Sequence, residues 1–231
     1  MRPTVPTLLS FNGGYVDTVG FLALQGLFTA HVTGNFVTVG AALVFGTAGV
    51  VIKLLALPVF CVTIIVTRLV SFHLPVRWPI LESMLTVKLL LLIIAAVLAI
   101  TMGPFANGDG GPAMALGMTL VTAMAIQNAA HRIHLSGSPP TTLMTGTTTQ
   151  IMIDVADVIR GRPAIELAAI RARIRTMSVA VGSFVTGAAA GASLFHAIGS
   201  WCFALPAIVA FIARITADSA LAGAASKSGP P

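Results

Sequence analysis

Runs of about 18 or more residues almost free of charge recur along nearly the whole chain, and that pattern limits the fold more than any motif in it. Only 9% of the 231 residues are charged and 56% are hydrophobic. A water-facing domain carries roughly 25% charged residues, so this chain lacks the polar surface to cover itself in water. It reads as a compact integral membrane domain with no room for a separate soluble catalytic module. Irregular backbone facing lipid would leave amide and carbonyl groups unpaired, so the expected fold is all-α, a polytopic transmembrane bundle. Eight apolar segments can be drawn: approximately Leu8–Ala30, Asn35–Ile52, Leu54–Phe72, Ile80–Met102, Pro112–Ile133, Thr145–Ile159, Thr176–Phe195 and Trp201–Ile215.

Within these segments one unit occurs twice. Gly14-Tyr15-Val16-Asp17 followed by His31-Val32-Thr33-Gly34-Asn35 matches Ala125-Ile126-Gln127-Asn128 followed by Leu143-Met144-Thr145-Gly146-Thr147. The match extends to Phe60, Thr63 and Thr67, which align with Phe184, Gly187 and Gly191. The loop Asn107-Gly108-Asp109-Gly110-Gly111-Pro112 separates the copies. The expected organisation is a first half at 1–106, a second half at 107–216 and a disordered cytoplasmic tail at 217–231. Duplicated units with polar, glycine-broken segments at matching places point to a transporter-type site between two halves.

Charge sets the expected orientation. With eight spans, Arg2, Lys53, Arg160, Arg162, Arg171, Arg173, Arg175, Arg214 and Lys227 fall on one side. Arg68, Arg77 and Arg132 fall on the other, with Lys88 inside a span. Nine against three puts both termini in the cytoplasm and makes the repeats parallel. The second and sixth segments are short and polar, and if either is re-entrant the repeat becomes inverted. The formal charge of +6 sits mainly in the arginine block, which marks a membrane surface and not nucleic acid.

The candidate site residues are Asp17, His31, Thr33, Gly34, Asn35, Gln127, Asn128, Thr142, Thr145 and Gly146. A carboxylate at the depth of Asp17 costs several kcal/mol unless it meets a partner or a wet cavity, so it marks an ion or proton path or makes a structural hydrogen bond. Gln127 and Asn128 would offer uncharged amides at the matching place. Each Thr-Gly pair permits a broken helix whose new N-terminus faces a solute, or it simply turns and caps the chain. His31 adds a group that switches charge near neutral pH. His131 and His134 lack further metal ligands, and no cofactor is implied. There is no Gly-x-Ser-x-Gly, His-Glu-x-x-His or P-loop pattern, so an enzyme is not expected. The leading expectation is a permease for a small polar solute or ion, coupled to protons through Asp17. The alternative is a non-transporting assembly or regulatory partner, using the small-residue face Gly187-Ala188-Ala189-Ala190-Gly191. Lipid, the solute and a second copy of the chain are the partners considered.

The residues Gly14-Tyr15-Val16-Asp17, Gly20-Phe21-Leu22, Phe28, Ala30 to Asn35, Gln127-Asn128-Ala129 and Thr141 to Thr147 resemble the YoaK family of bacterial inner-membrane proteins. The resemblance runs from about Phe11 to Ile215 and implies a polytopic helical protein in the inner membrane. It implies no substrate. The chain departs from the family pattern at Thr147, where Asn is the more usual residue, so Asn35 and Thr147 are not expected to act symmetrically.

Overall fold

The computed structural model describes residues 4–75, 78–161 and 163–227, and all regular structure among them is helical. The helices are α1 (Val5–Ala23), α2 (Gly34–Phe45), α3 (Val50–His73), α4 (Ile80–Met102), α5 (Gly111–His134), α6 (Met144–Arg160), α7 (Ala164–Ile198) and α8 (Ala204–Lys227). Local chemistry fixes several ends. The Thr4 hydroxyl accepts from the Thr7 amide ahead of α1, and left-handed glycines, Gly46 and Gly161, stop α2 and α6. A 3-10 turn over Gly199–Phe203 joins α7 to α8. Helix α8 continues into the stretch expected to be a tail, and residues 228–231 lie outside the described residues.

Among the described residues four helical stretches are long and apolar enough to cross a membrane: α3, α4, α5 and the continuous run Ile165–Asp218. As one rod that 54-residue run would measure about 80 Å, far beyond a core of roughly 30 Å. It bends at Gly199 (φ 55°, ψ −134°) into two helices that meet α1 in opposite directions. Phe11 and Tyr15 lie beside Gly187 and Gly191, so α1 and α7 run parallel. Asn12 donates to the Pro206 carbonyl at 3.0 Å and Tyr15 to the Cys202 carbonyl at 2.9 Å, so α1 and α8 run antiparallel. Proline at 206 has no N–H to offer Cys202, and the tyrosine hydroxyl serves that carbonyl instead.

Eight spans are not established among the described residues. Helix α2 has 12 residues and α6 has 17, about 18 and 26 Å, and both fall short of the core thickness. Their directions explain the shortness. After α1, Gln25 (φ 53°) and Gly26 (φ 88°) are both left-handed and reverse the chain. The Gln25 amide holds this turn, donating to the Ala106 carbonyl at 2.9 Å and accepting from the Gly108 amide at 3.1 Å. The chain then descends until Thr29 and Ala30 reach Asp17, in the body of α1. From there α2 climbs back to its starting end, where Asp109 caps the amides of Gly49 and Ile52 at the head of α3. The segment between α1 and α3 therefore enters and leaves at one end.

The segment between α5 and α7 does the same at the other end. Thr141 and Thr142 return to the level of Gln127 and Asn128. Helix α6 then runs back, where buried Asp154 binds Arg173 of α7 at 2.7 and 2.5 Å. Helix α1 packs on α5, α7 and α8, α3 on α2 and α5, α6 on α7, and α4 on α5 and α8.

Counting charge on this framework changes the earlier sides. Helices α3 and α5 run parallel, since Ile52 meets Gly117 and Ile64 packs against the cluster that holds Ile126, Ala129 and Ala130. Arg68 and Arg132 thus share the end of the bundle that holds Arg160, Arg171, Arg173 and Arg175. Lys53 stands at the opposite end. Arg2, Arg77 and Arg162 lie outside the described residues.

Burial also explains how α1 can carry polar side chains at depth. It is enclosed by α5, α7 and α8, so Ser10, Asn12 and Asp17 are shielded from lipid by protein.

Candidate functional site

Asp17 is 5% exposed and acts as the anchor of the first folded-back loop. Its Oδ1 accepts from the amides of Thr29 at 2.7 Å and Ala30 at 2.8 Å, and from the Thr29 hydroxyl at 3.3 Å. Its Oδ2 lies 2.6 Å from His31 Nδ1. Three donors thus meet one oxygen and an imidazole meets the other. Asn35 closes the same loop from the far side, accepting from the Phe28 amide and donating to the Phe28 carbonyl, both at 2.8 Å. That leaves Asn35 buried, with its amide turned into the loop and away from any solute. Its counterpart Thr147 only donates to the Leu143 carbonyl at 3.1 Å, so the two positions act differently.

The second loop is held by two side chains. Asn128 accepts from the Thr142 hydroxyl at 2.8 Å and donates to the Met124 carbonyl at 2.9 Å. Gln127 donates to the Leu9 carbonyl at 2.9 Å and the Thr141 hydroxyl at 3.1 Å, and accepts from Lys88 Nζ at 2.5 Å. Gln127 and Lys88 are both fully buried, so Gln127 is an internal tie and does not face a solute.

Two cavities adjoin these loops. One, about 580 Å³, is lined by Asp17, Thr18, Phe21, Leu22, Phe28, His31, Gly34, Phe184 and Ala192. The other, about 400 Å³, is lined by His31, Thr33, Phe60, Ile64, Arg68, Asn128, Arg132 and Leu143, among others. His31 borders both. Its ring meets Phe184 edge-on at 5.6 Å and Phe28 at 6.3 Å. The first cavity lies toward the end of Lys53 and the second toward the end of the arginines.

A family model described as "Protein of unknown function (DUF1275)" matches residues 5–216. The chain belongs to this family. No curated protein and no solved structure matches it. The DUF1275 match takes in both folded-back loops, both cavities and nearly all of the helical bundle.

Of the residues expected at a site in this DUF1275 chain, Asp17, His31, Thr33, Gly34 and Asn128 line the two cavities, and Thr142 braces Asn128. Thr145 and Gly146 do not join them. Both are exposed, and a Cβ on Gly146 would meet no atom within 4 Å. The turn into α6 therefore presents Leu143 to the cavity, in place of the second Thr-Gly pair. Three residues beside these loops were not among the expected site residues: Lys88, Arg68 and Arg132. A lysine alone in an apolar helix is costly enough to have marked itself. The two arginines were expected opposite the arginine block, and the structure puts them at the same end of the bundle as that block. Among the described residues no group of three or more His, Cys, Asp or Glu side chains could hold a metal ion.

Proposed function

We propose that this DUF1275 protein is a multi-pass permease for a small polar solute, placed more finely among the YoaK proteins of the bacterial inner membrane. In this reading α1, α3, α4, α5, α7 and α8 cross the bilayer, and α2 and α6 are re-entrant half-helices. The halves form an inverted repeat related by an axis in the membrane plane. The observation that carries the reading is that His31, held by Asp17, borders two cavities that lie toward opposite ends. A solute would pass from one to the other by displacing the imidazole from its place between Phe28 and Phe184. The partner-protein alternative loses its main support, because Gly187 and Gly191 are packed against Phe11 and Tyr15 inside the chain. No catalytic role is proposed.

Accessibility tests the path. In a Cys61→Ser background, Thr18→Cys should react with a membrane-impermeant thiol reagent only from outside, and Thr33→Cys only from inside. Adding His31→Ala should open each position to both sides. Labelling of Thr33→Cys by a lipid-soluble reagent alone would put that cavity in the bilayer and end the permease reading.

Topology is a separate expectation. The end rich in arginine is cytoplasmic, as basic segments resist translocation, so both termini are inside and the loop at 107–110 is outside. A reporter active only outside the cytoplasm, inserted in that loop, should give signal. Silence there would restore the eight-span arrangement, in which the same loop faces inward.

A further inference from the structure

Resting on the permease reading, we infer that the solute is a small oxyanion, of the carboxylate, nitrate or phosphate class, received by Arg68 and Arg132. The two guanidinium groups come from parallel helices, α3 and α5, and line the same cavity of about 400 Å³. No carboxylate lines that cavity, and among the described residues neither arginine has an ion-pair partner. Both arginines are exposed at the rim of the recess, and two cations without an ion-pair partner there put a positive potential into it, which a bound anion relieves. Arg68 is further oriented by the Phe72 ring, 4.2 Å below its guanidinium carbon. The same cavity carries Thr33 and Leu143, the residues from which α2 and α6 begin, so the positive ends of two helix dipoles add to the field. Thr33 adds a neutral hydroxyl to the lining beside the arginines. A planar or tetrahedral oxyanion matches the fork geometry of guanidinium better than a halide does.

Two sources offer an oxyanion at this depth, a free solute and the phosphate of a lipid headgroup, and the experiment separates them. The full chain is reconstituted in phosphatidylcholine vesicles, and the influx of nitrate, formate and urea is followed by light scattering. Nitrate and formate should enter faster than urea. Arg68→Gln and Arg132→Gln should each lower anion influx by about tenfold, the loss expected of one charge-assisted hydrogen bond, with urea influx unchanged. Arg68→Lys, which keeps the charge, should retain most of the anion flux. Equal influx of urea and anions, unmoved by either glutamine variant, overturns this inference and leaves the permease standing. No influx of any of the three solutes overturns the permease reading itself. The lipid arm uses protein in neutral detergent. Stabilisation by phosphatidylglycerol that depends on the arginines, with none from inorganic phosphate or nitrate, would assign the pair to a headgroup and overturn the solute assignment.

Discussion

Replacing Gly187 by alanine should lower the melting temperature of the detergent-solubilised protein by about 10 °C, the effect of roughly 3 kcal/mol of overpacking in a chain of this size. A Cβ at that position would lie 2.0 Å from the Phe11 carbonyl oxygen and 2.8 Å from its carbon. These are main-chain atoms of α1, so no rotamer change relieves the overlap and the two helices must move apart. The contact is reciprocal, since a Cβ on Gly14 would lie 2.1 Å from the Phe184 carbonyl oxygen. Helix α1 is enclosed by α5, α7 and α8, so separating it from α7 also loosens the core around Tyr15, Val16 and Val19. Gly182→Ala is the control on the same helix. No heavy atom lies within 4 Å of its Cβ position, and alanine there should be neutral or stabilising by up to about 1 kcal/mol through helix propensity. If the two variants melt together, α1 and α7 are not packed through these glycines.

Asp17→Ala should be comparably damaging, and Asp17→Asn should not. Alanine strands the amides of Thr29 and Ala30, each of which costs about 1–3 kcal/mol when left buried without an acceptor. The loop that delivers His31 to the boundary between the cavities then has only Asn35 to hold it. Asparagine keeps an oxygen for both amides and turns its NH2 toward His31 Nδ1, which can accept in the other tautomer. Its stability should stay within about 1 kcal/mol of wild type, the scale of one net hydrogen bond. The negative charge is gone, however, so if Asp17 couples movement to protons, the pH dependence of solute flux should disappear in this variant alone. Equal stability of the alanine and asparagine variants would mean that Asp17 does not anchor the loop. PH-dependent flux retained by Asp17→Asn would remove it as the coupling group.

The two variants mark different limits on what the amino acids disclose. The small-residue face of α7 was legible as a close-packing surface, but the pattern did not say whether its partner was inside or outside the chain. Asp17 was legible as a costly carboxylate needing partners. That two of those partners are backbone amides 12 and 13 residues ahead was not, because backbone groups leave no trace in side-chain pattern.

Helical class and many boundaries follow from local chemistry acting along the chain. The apolar run Ile80–Met102 is α4 to the residue, the loop at 103–110 separates the helices it was expected to separate, and new helices begin at Gly34 and Met144 beside the Thr-Gly pairs. Hydropathy and glycine placement suffice for these, since they report where backbone bonds can close and where a helix can start. Direction and depth are another matter. A short apolar helix that crosses and one that turns back present much the same composition, and the choice rests on contacts between distant segments: Gln25 with the loop at 106–108, Asp17 with Thr29 and Ala30, Asn128 with Thr142. Packing between distant segments, α3 beside α5 among them, decides that Arg68 and Arg132 join the other arginines and share a cavity with His31. It likewise decides that Gln127 turns inward to Lys88 and that Gly146 is left at the surface. Composition sets the solvent a segment can tolerate, whereas the side of the membrane it reaches depends on how many earlier segments crossed, a sum fixed only when the whole chain has packed.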